Sequence, residues 1–100
     1  MKRVFKVGLI GCGHIAETYF RAHKYFNNFK IVKCADIKES ASRRCASIYG
    51  IKSLTVNQLL NDDDIEIILN LTVPKAHYKV AKSALEHNKH VYSEKPMAIN

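Results

Sequence analysis

Hydrophobic and polar positions along this chain switch repeatedly between a strand-like and a helix-like period. Val4 to Ile10 is a short apolar run that predicts a strand. His14 to Phe26 predicts a helix, with Ile15, Tyr19, Ala22 and Phe26 on one face and Asn27-Asn28 as its end. Phe29 to Ala35 predicts a second strand. Ser40 to Tyr49 predicts a second helix, closed by Gly50 at the position after a helix where glycine is favoured. Ser53-Leu54 is a very short third strand, and Thr55 caps a short helix through Leu60. Asn61 to Asp64 reads as a solvated turn. Ile65 to Leu71 is almost continuously apolar, as a strand covered on both faces requires. Pro74 suits the first turn of a helix that runs to about His87, with Ala76, Val80, Ala84 and Leu85 as its apolar positions. His90 to Tyr92 is the last strand.

Such alternation implies an α/β fold with a parallel sheet and right-handed crossovers. The expected architecture is a Rossmann-type doubly wound sheet in strand order 3-2-1-4-5, with its ligand crevice outside the carboxyl ends of strands 1 and 4. Three loops should meet at that edge: Gly11 to Ile15, Asp36 to Glu39, and Leu71 to His77. Ser93 to Pro96 should emerge beside them.

The first of those loops carries the chemistry. Gly11-Cys12-Gly13-His14-Ile15-Ala16 follows the first strand and opens the first helix, and Asp36 stands 20 residues past Ala16. A dinucleotide needs this layout. Gly11 permits the tight turn, Gly13 lets the backbone approach phosphate, and a small third residue, here Ala16, lets helix and strand pack closely. Phosphate is expected on the backbone N–H groups of His14 and Ile15, where the helix dipole is positive. Asp36 is placed to accept hydrogen bonds from two ribose hydroxyls, which favours NAD, with NADP possible.

Composition narrows the picture. One hundred residues make at most one small domain. No apolar run approaches the roughly 20 residues of a membrane span, and the N-terminus reads as a strand rather than a signal peptide. Cys12, Cys34 and Cys45 have neither CxxC spacing nor an even partner count, which points to a reducing compartment, the cytoplasm. Cys12 reads as a small side chain in a crowded turn, with a thiol activated by the helix N-terminus as the alternative. The five histidines show no metal-ligand spacing, so no metal is expected. The net charge of +7 raises nucleic acid as a partner, but the basic residues are spread along the chain in no recognised binding pattern. A solvated basic surface, attractive to an anionic cofactor, is the expectation.

The segment His90-Val91-Tyr92-Ser93-Glu94-Lys95-Pro96, taken with the glycine turn and Thr72-Val73-Pro74-Lys75-Ala76-His77, resembles the Gfo/Idh/MocA oxidoreductases over essentially the whole chain. The resemblance implies an NAD(P)-dependent dehydrogenase acting on a sugar or cyclitol hydroxyl, and a homo-oligomer as the full-length protein. It implies that Lys95 lies by the nicotinamide and contacts the reacting hydroxyl, and that Glu94 lies near the nicotinamide ribose. Thr72 and Pro74 match the loop lining the cofactor. His77 contacts cofactor or substrate, or packs locally; the sequence leaves both open.

Met97 to Asn100 begins what reads as another helix, so the last strand and the substrate domain, with its acid/base residues, are expected to be missing from these residues. On that reading residues 1–100 are an incomplete NAD(P)-binding domain, inactive alone. A non-catalytic NAD(H)-binding sensor is the main alternative, and a basic interaction module a third. Glu94-Lys95-Pro96 argues against the sensor, which has no need of it.

Overall fold

The computed structural model describes residues 4–22 and 28–93. Five strands, β1 (Phe5–Ile10), β2 (Phe29–Ala35), β3 (Lys52–Ser53), β4 (Ile67–Asn70) and β5 (His90–Ser93), form one parallel sheet in the order β3-β2-β1-β4-β5. Four helices connect them: α1 (His14–Ala22), α2 (Glu39–Tyr49), α3 (Val56–Leu60) and α4 (Pro74–Glu86). The expected strand order is the observed one.

Two apolar layers sandwich the sheet. Val7, Leu9, Ile31 and Leu69 pack with Ala16 and Phe20 of α1 and Cys45 of α2 on one face. Ile10, Ala35 and Ile68 pack with Leu59 and Leu60 of α3 and Val80 and Ala84 of α4 on the other. Phe20 stacks on Tyr49 at 3.8 Å between ring centres, joining α1 to α2.

A register shift in β2 decides what those faces carry. Val7 pairs with Ile31, but Gly8 pairs with Lys33, so β2 holds one residue more than β1 at that point. Strict alternation would separate Ile31 from Cys34. The extra residue brings both onto the α1–α2 face and sends Lys33 to the Asp62 carboxylate in the α3–β4 turn.

The ends of the helices follow from local chemistry. Gly50 closes α2 at φ 66°, in the left-handed region. Thr55 and Gln58 form a reciprocal capping box on α3, and Pro74 stands in the first turn of α4.

Several expectations shift. On α1, Ala16 and Phe20 are buried and Tyr19, one of the four expected apolar positions, is half-buried; the side chains of Ile15 and Ala22, and Phe26 as a whole, lie outside the described residues. Ala16 must lie on the strand for the turn to close, and Phe20 is one helical turn further on. Leu85 is 62 % exposed, because α4 packs through Val80 and Ala84 and the next residue is rotated away. β4 starts at Ile67; Ile65 is buried ahead of it. Helix α2 begins one residue early, at Glu39, and β3 is Lys52–Ser53 rather than Ser53-Leu54. No helix among the described residues is long and apolar enough to cross a membrane.

Candidate functional site

The glycine turn is clamped between the ends of β2 and β4. Gly11 donates its N–H to Ala35 O at 2.9 Å, and Leu71 donates to Ile10 O at 2.8 Å. Gly11 is buried with φ 101°. A Cβ on it would lie 2.6 Å from the Leu71 carbonyl carbon and 2.8 Å from Thr72 N, closer than any side chain can stand. Gly13 is the opposite case. It is exposed, and a Cβ there would meet nothing within 4 Å. The first glycine is therefore required by the protein's own backbone. The second leaves open space above the start of α1. His14 and Ile15 are the first two residues of that helix, where backbone N–H groups have no partner within the helix.

Asp36 follows β2 directly, half-buried at the same edge. Its Oδ2 accepts the Cys12 N–H at 2.7 Å and its Oδ1 accepts the Lys38 N–H at 2.8 Å. A cleft of about 460 Å³ lies on its β3 side, between Ile37, Arg43 and the Leu54 to Gln58 segment. Arg43 is engaged by Glu39 one helical turn away.

The β4–α4 loop is organised by a residue the sequence reading did not single out. Asn70 is wholly buried at the end of β4. Its Oδ1 accepts from Thr72 N at 3.3 Å and Thr72 Oγ1 at 2.7 Å, and its amide donates to His77 O at 2.9 Å. One side chain thus fixes Thr72 and the first turn of α4, which begins at Pro74. The available signal was a lone amide at the end of an apolar strand, at the ligand edge. His77 Nε2 is buried without a hydrogen-bond partner among the described residues, so local hydrogen bonding does not account for that atom. Ser93, the last residue described in β5, pairs with Asn70 beside this loop. Glu94 and Lys95 lie outside the described residues, as do the side chains of His14, Ile15 and Pro74.

The acidic turn sits at the other end of the sheet. Lys6, near the start of β1, bonds Asp64 at 2.9 Å, while Lys33 engages the Asp62 carboxylate and the buried Lys89 donates to Asp62 O at 2.6 Å. It is a structural clamp.

The three cysteines, distant in sequence, converge. Cys12 in the turn, Cys34 on β2 and Cys45 on α2 place their Sγ atoms within 4.8 Å of one another, all as free thiols. Hydrogen bonds from Cys12 and then Cys45 hold the Cys34 thiol well below its ordinary range, against the effect of burial. No spacing rule reveals this cluster, because the fold and the β2 register shift create it.

The residues present suit a dinucleotide: a turn only glycine can make, open space over a helix start, and a carboxylate tied to that turn. Comparison with known proteins agrees. Residues 5–100 match the model of the Gfo/Idh/MocA oxidoreductase family with its NAD-binding Rossmann fold. Inositol 2-dehydrogenase of Salmonella typhimurium (strain LT2) is 31 % identical over 98 residues, 94 % of this chain and 29 % of the relative. The structure of myo-inositol dehydrogenase from Lactobacillus casei in complex with NAD(H) and myo-inositol superposes with a TM-score of 0.84 at 27 % identity, over 95 % of this chain and 29 % of that one. A 3-ketoreductase from Actinomadura kijaniata, in complex with NADP and TDP-benzene, gives 0.85 at 25 % identity, over 95 % and 30 %. The chain thus spans under a third of the length of these relatives. With the expected sheet, turn and edge loops all in place, it belongs to the Gfo/Idh/MocA oxidoreductase family, as its NAD-binding Rossmann domain.

Proposed function

We propose that this chain is the cofactor-binding part of an NAD-dependent dehydrogenase that oxidises a hydroxyl, or reduces the matching ketone, of a sugar or cyclitol. The observation that carries the reading is the contrast between Gly11, wedged against Leu71 and Thr72, and Gly13, facing open space, with Asp36 bonded to the residue between them. The named activities of the relatives and neighbours, inositol dehydrogenases and a 3-ketoreductase, support the substrate class.

The backbone N–H groups of the turn and of His14 and Ile15 hold the pyrophosphate. Each Asp36 oxygen uses one lone pair on a backbone N–H and keeps another for a ribose hydroxyl. A 2′-phosphate would meet this carboxylate charge to charge, which selects NAD over NADP. Asn70 fixes the loop of Thr72, Pro74 and His77 along the cofactor. The bound nicotinamide supplies the hydride acceptor or donor. Glu94 stands by the nicotinamide ribose, and Lys95 presents a cation to the substrate hydroxyl, steadying the alkoxide as its proton leaves. The remaining substrate contacts and the acid/base pair belong to a further domain, consistent with the greater length of the relatives. The full-length protein works as a homo-oligomer in the cytoplasm, without nucleic acid or membrane partners.

Titration of the intact protein with NAD(H) and NADP(H), followed by turnover on a panel of inositols and hexoses, tests the reading. NAD(H) should bind tighter, and a member of the panel should be oxidised. Tighter NADP(H) overturns the cofactor choice, and binding without turnover across polyols favours the sensor.

A further inference from the structure

Nothing in the dehydrogenase reading uses the three-thiol cluster under the glycine turn. Its members come from three separate elements, the β1–α1 turn, β2 and α2, so the fold holds them together rather than a flexible loop. Cys34 and Cys45 are buried, Cys12 is half-buried, and none is in a disulfide. A cavity of about 290 Å³ between α1 and α2 reaches Cys12 and Cys45 and is walled by Arg44 and Tyr49.

We propose that Cys12, Cys34 and Cys45 form a binding site for one thiophilic d¹⁰ cation, Cu(I) or Zn(II), entered through the cavity between α1 and α2.

The geometry is close to what such an ion requires. Metal–sulfur bonds of about 2.3 Å set sulfur atoms about 3.8–4.0 Å apart in tetrahedral or trigonal coordination. The Sγ atoms all lie within 4.8 Å of one another, so closure needs movements of under about 1 Å. An all-sulfur donor set selects soft cations over Mg²⁺ or Ca²⁺. Three thiolates complete a trigonal Cu(I) site. Zn(II) would take a fourth ligand, and the cavity gives water access to the side on which Cys12 and Cys45 lie. The surroundings also supply support beyond the ligands. Ser42 Oγ lies 3.8 Å from Cys34 Sγ and is itself fixed by Ser53 Oγ at 2.6 Å. Glu17 and Arg44 both line the cavity; Glu17 is paired with Arg21, and the cationic Arg44 offsets part of the negative charge that three thiolates leave around a single ion.

The test titrates the fully reduced full chain, under anaerobic conditions, with Cu(I) and separately with Zn(II) against a chromophoric chelator. One equivalent of either ion should bind, and it should protect all three cysteines together from alkylation, read by mass spectrometry. Cys34→Ser and Cys45→Ser should each weaken binding at least about tenfold, with far-UV circular dichroism confirming the fold. If either variant fails to fold, Cys12→Ser at the half-buried position carries the same expectation. The proposal is overturned if neither ion binds more tightly than to the urea-unfolded chain, or if protection covers only one or two of the thiols. It is also overturned if the folded serine variants bind as well as the parent.

Discussion

The backbone N–H of Cys12, inside the glycine turn, donates to Asp36 Oδ2 at 2.7 Å. The acid at the end of β2 therefore fastens the turn between β1 and α1, in addition to its proposed role toward the ribose. Its other oxygen takes the Lys38 N–H, so the carboxylate is held in place before any ligand arrives.

Asp36→Ala should accordingly weaken NAD(H) by about 1–3 kcal/mol, the range for a partnered polar group left unmatched. NADP(H) should lose less, because the repulsion on its 2′-phosphate goes as well. Dissociation constants for both cofactors, measured on the same variant, check the difference. Equal losses would remove the ribose role and leave only the fastening of the turn.

The two turn glycines should separate stability from binding. Gly11→Ala puts a methyl 2.6–2.8 Å from the backbone of Leu71 and Thr72, at φ 101°. It should lower stability by about 2–4 kcal/mol through strain and overpacking, seen in urea unfolding. Gly13→Val meets no protein atom near the new Cβ, so the sheet should stay intact while NAD(H) affinity falls. A folded Gly13→Val protein with unchanged affinity would place the phosphate elsewhere.

Asn70→Ala should cost about 1–3 kcal/mol of stability, because it removes the partner of the Thr72 hydroxyl and the tie from the end of β4 to the His77 carbonyl in the first turn of α4. Urea unfolding gives that loss. A matching drop in cofactor affinity would tie the loop to the site.

Most of the architecture was legible because hydrophobic period and turn residues agree along the chain. Gly50, Thr55 and Pro74 each mark a helix end where the structure has one. The dinucleotide turn was legible for the same reason, since Gly11 and Asp36 are demanded by local geometry. The misreadings concern residues whose setting is tertiary. The apolar stripe read along α1 leaves out Phe20, which tertiary packing against Tyr49 buries beside Ala16. Leu85 looks like core, yet Ala84 takes that place. The cysteine cluster depends on a one-residue shift in β2, which no pattern along the sequence announces.

The Lys33–Asp62 clamp gives a pH dependence. Its hydrogen bond to Lys33 holds the Asp62 carboxyl below the ordinary range. A depressed folded-state pKa means stability that is fully present above the unfolded value of about 3.9 and lost as pH falls through the folded one. Unfolding midpoints measured from pH 7 down to about pH 2 should therefore fall more steeply below about pH 4 for the parent than for Asp62→Asn. Parallel curves would show that the clamp carries no net proton linkage.

The last prediction concerns Lys95, two residues beyond β5. Ser93, the last residue described in β5, pairs with Asn70, beside the loop of Thr72 and His77 and at the edge that carries the glycine turn. Under the proposed function the Lys95 cation works there, next to the reacting hydroxyl. Lys95→Met in the full-length protein keeps the length of the side chain and removes its charge. Turnover should fall by roughly 10²-fold or more, the scale of a positioned proton carrier or charge stabiliser. Affinity for NAD(H) should change far less, since Asp36 and the turn around Gly13 are untouched. Steady-state kinetics and cofactor titration on one preparation separate the two effects. Normal turnover would reject the catalytic role, and a parallel loss of cofactor affinity would make Lys95 a binding residue instead.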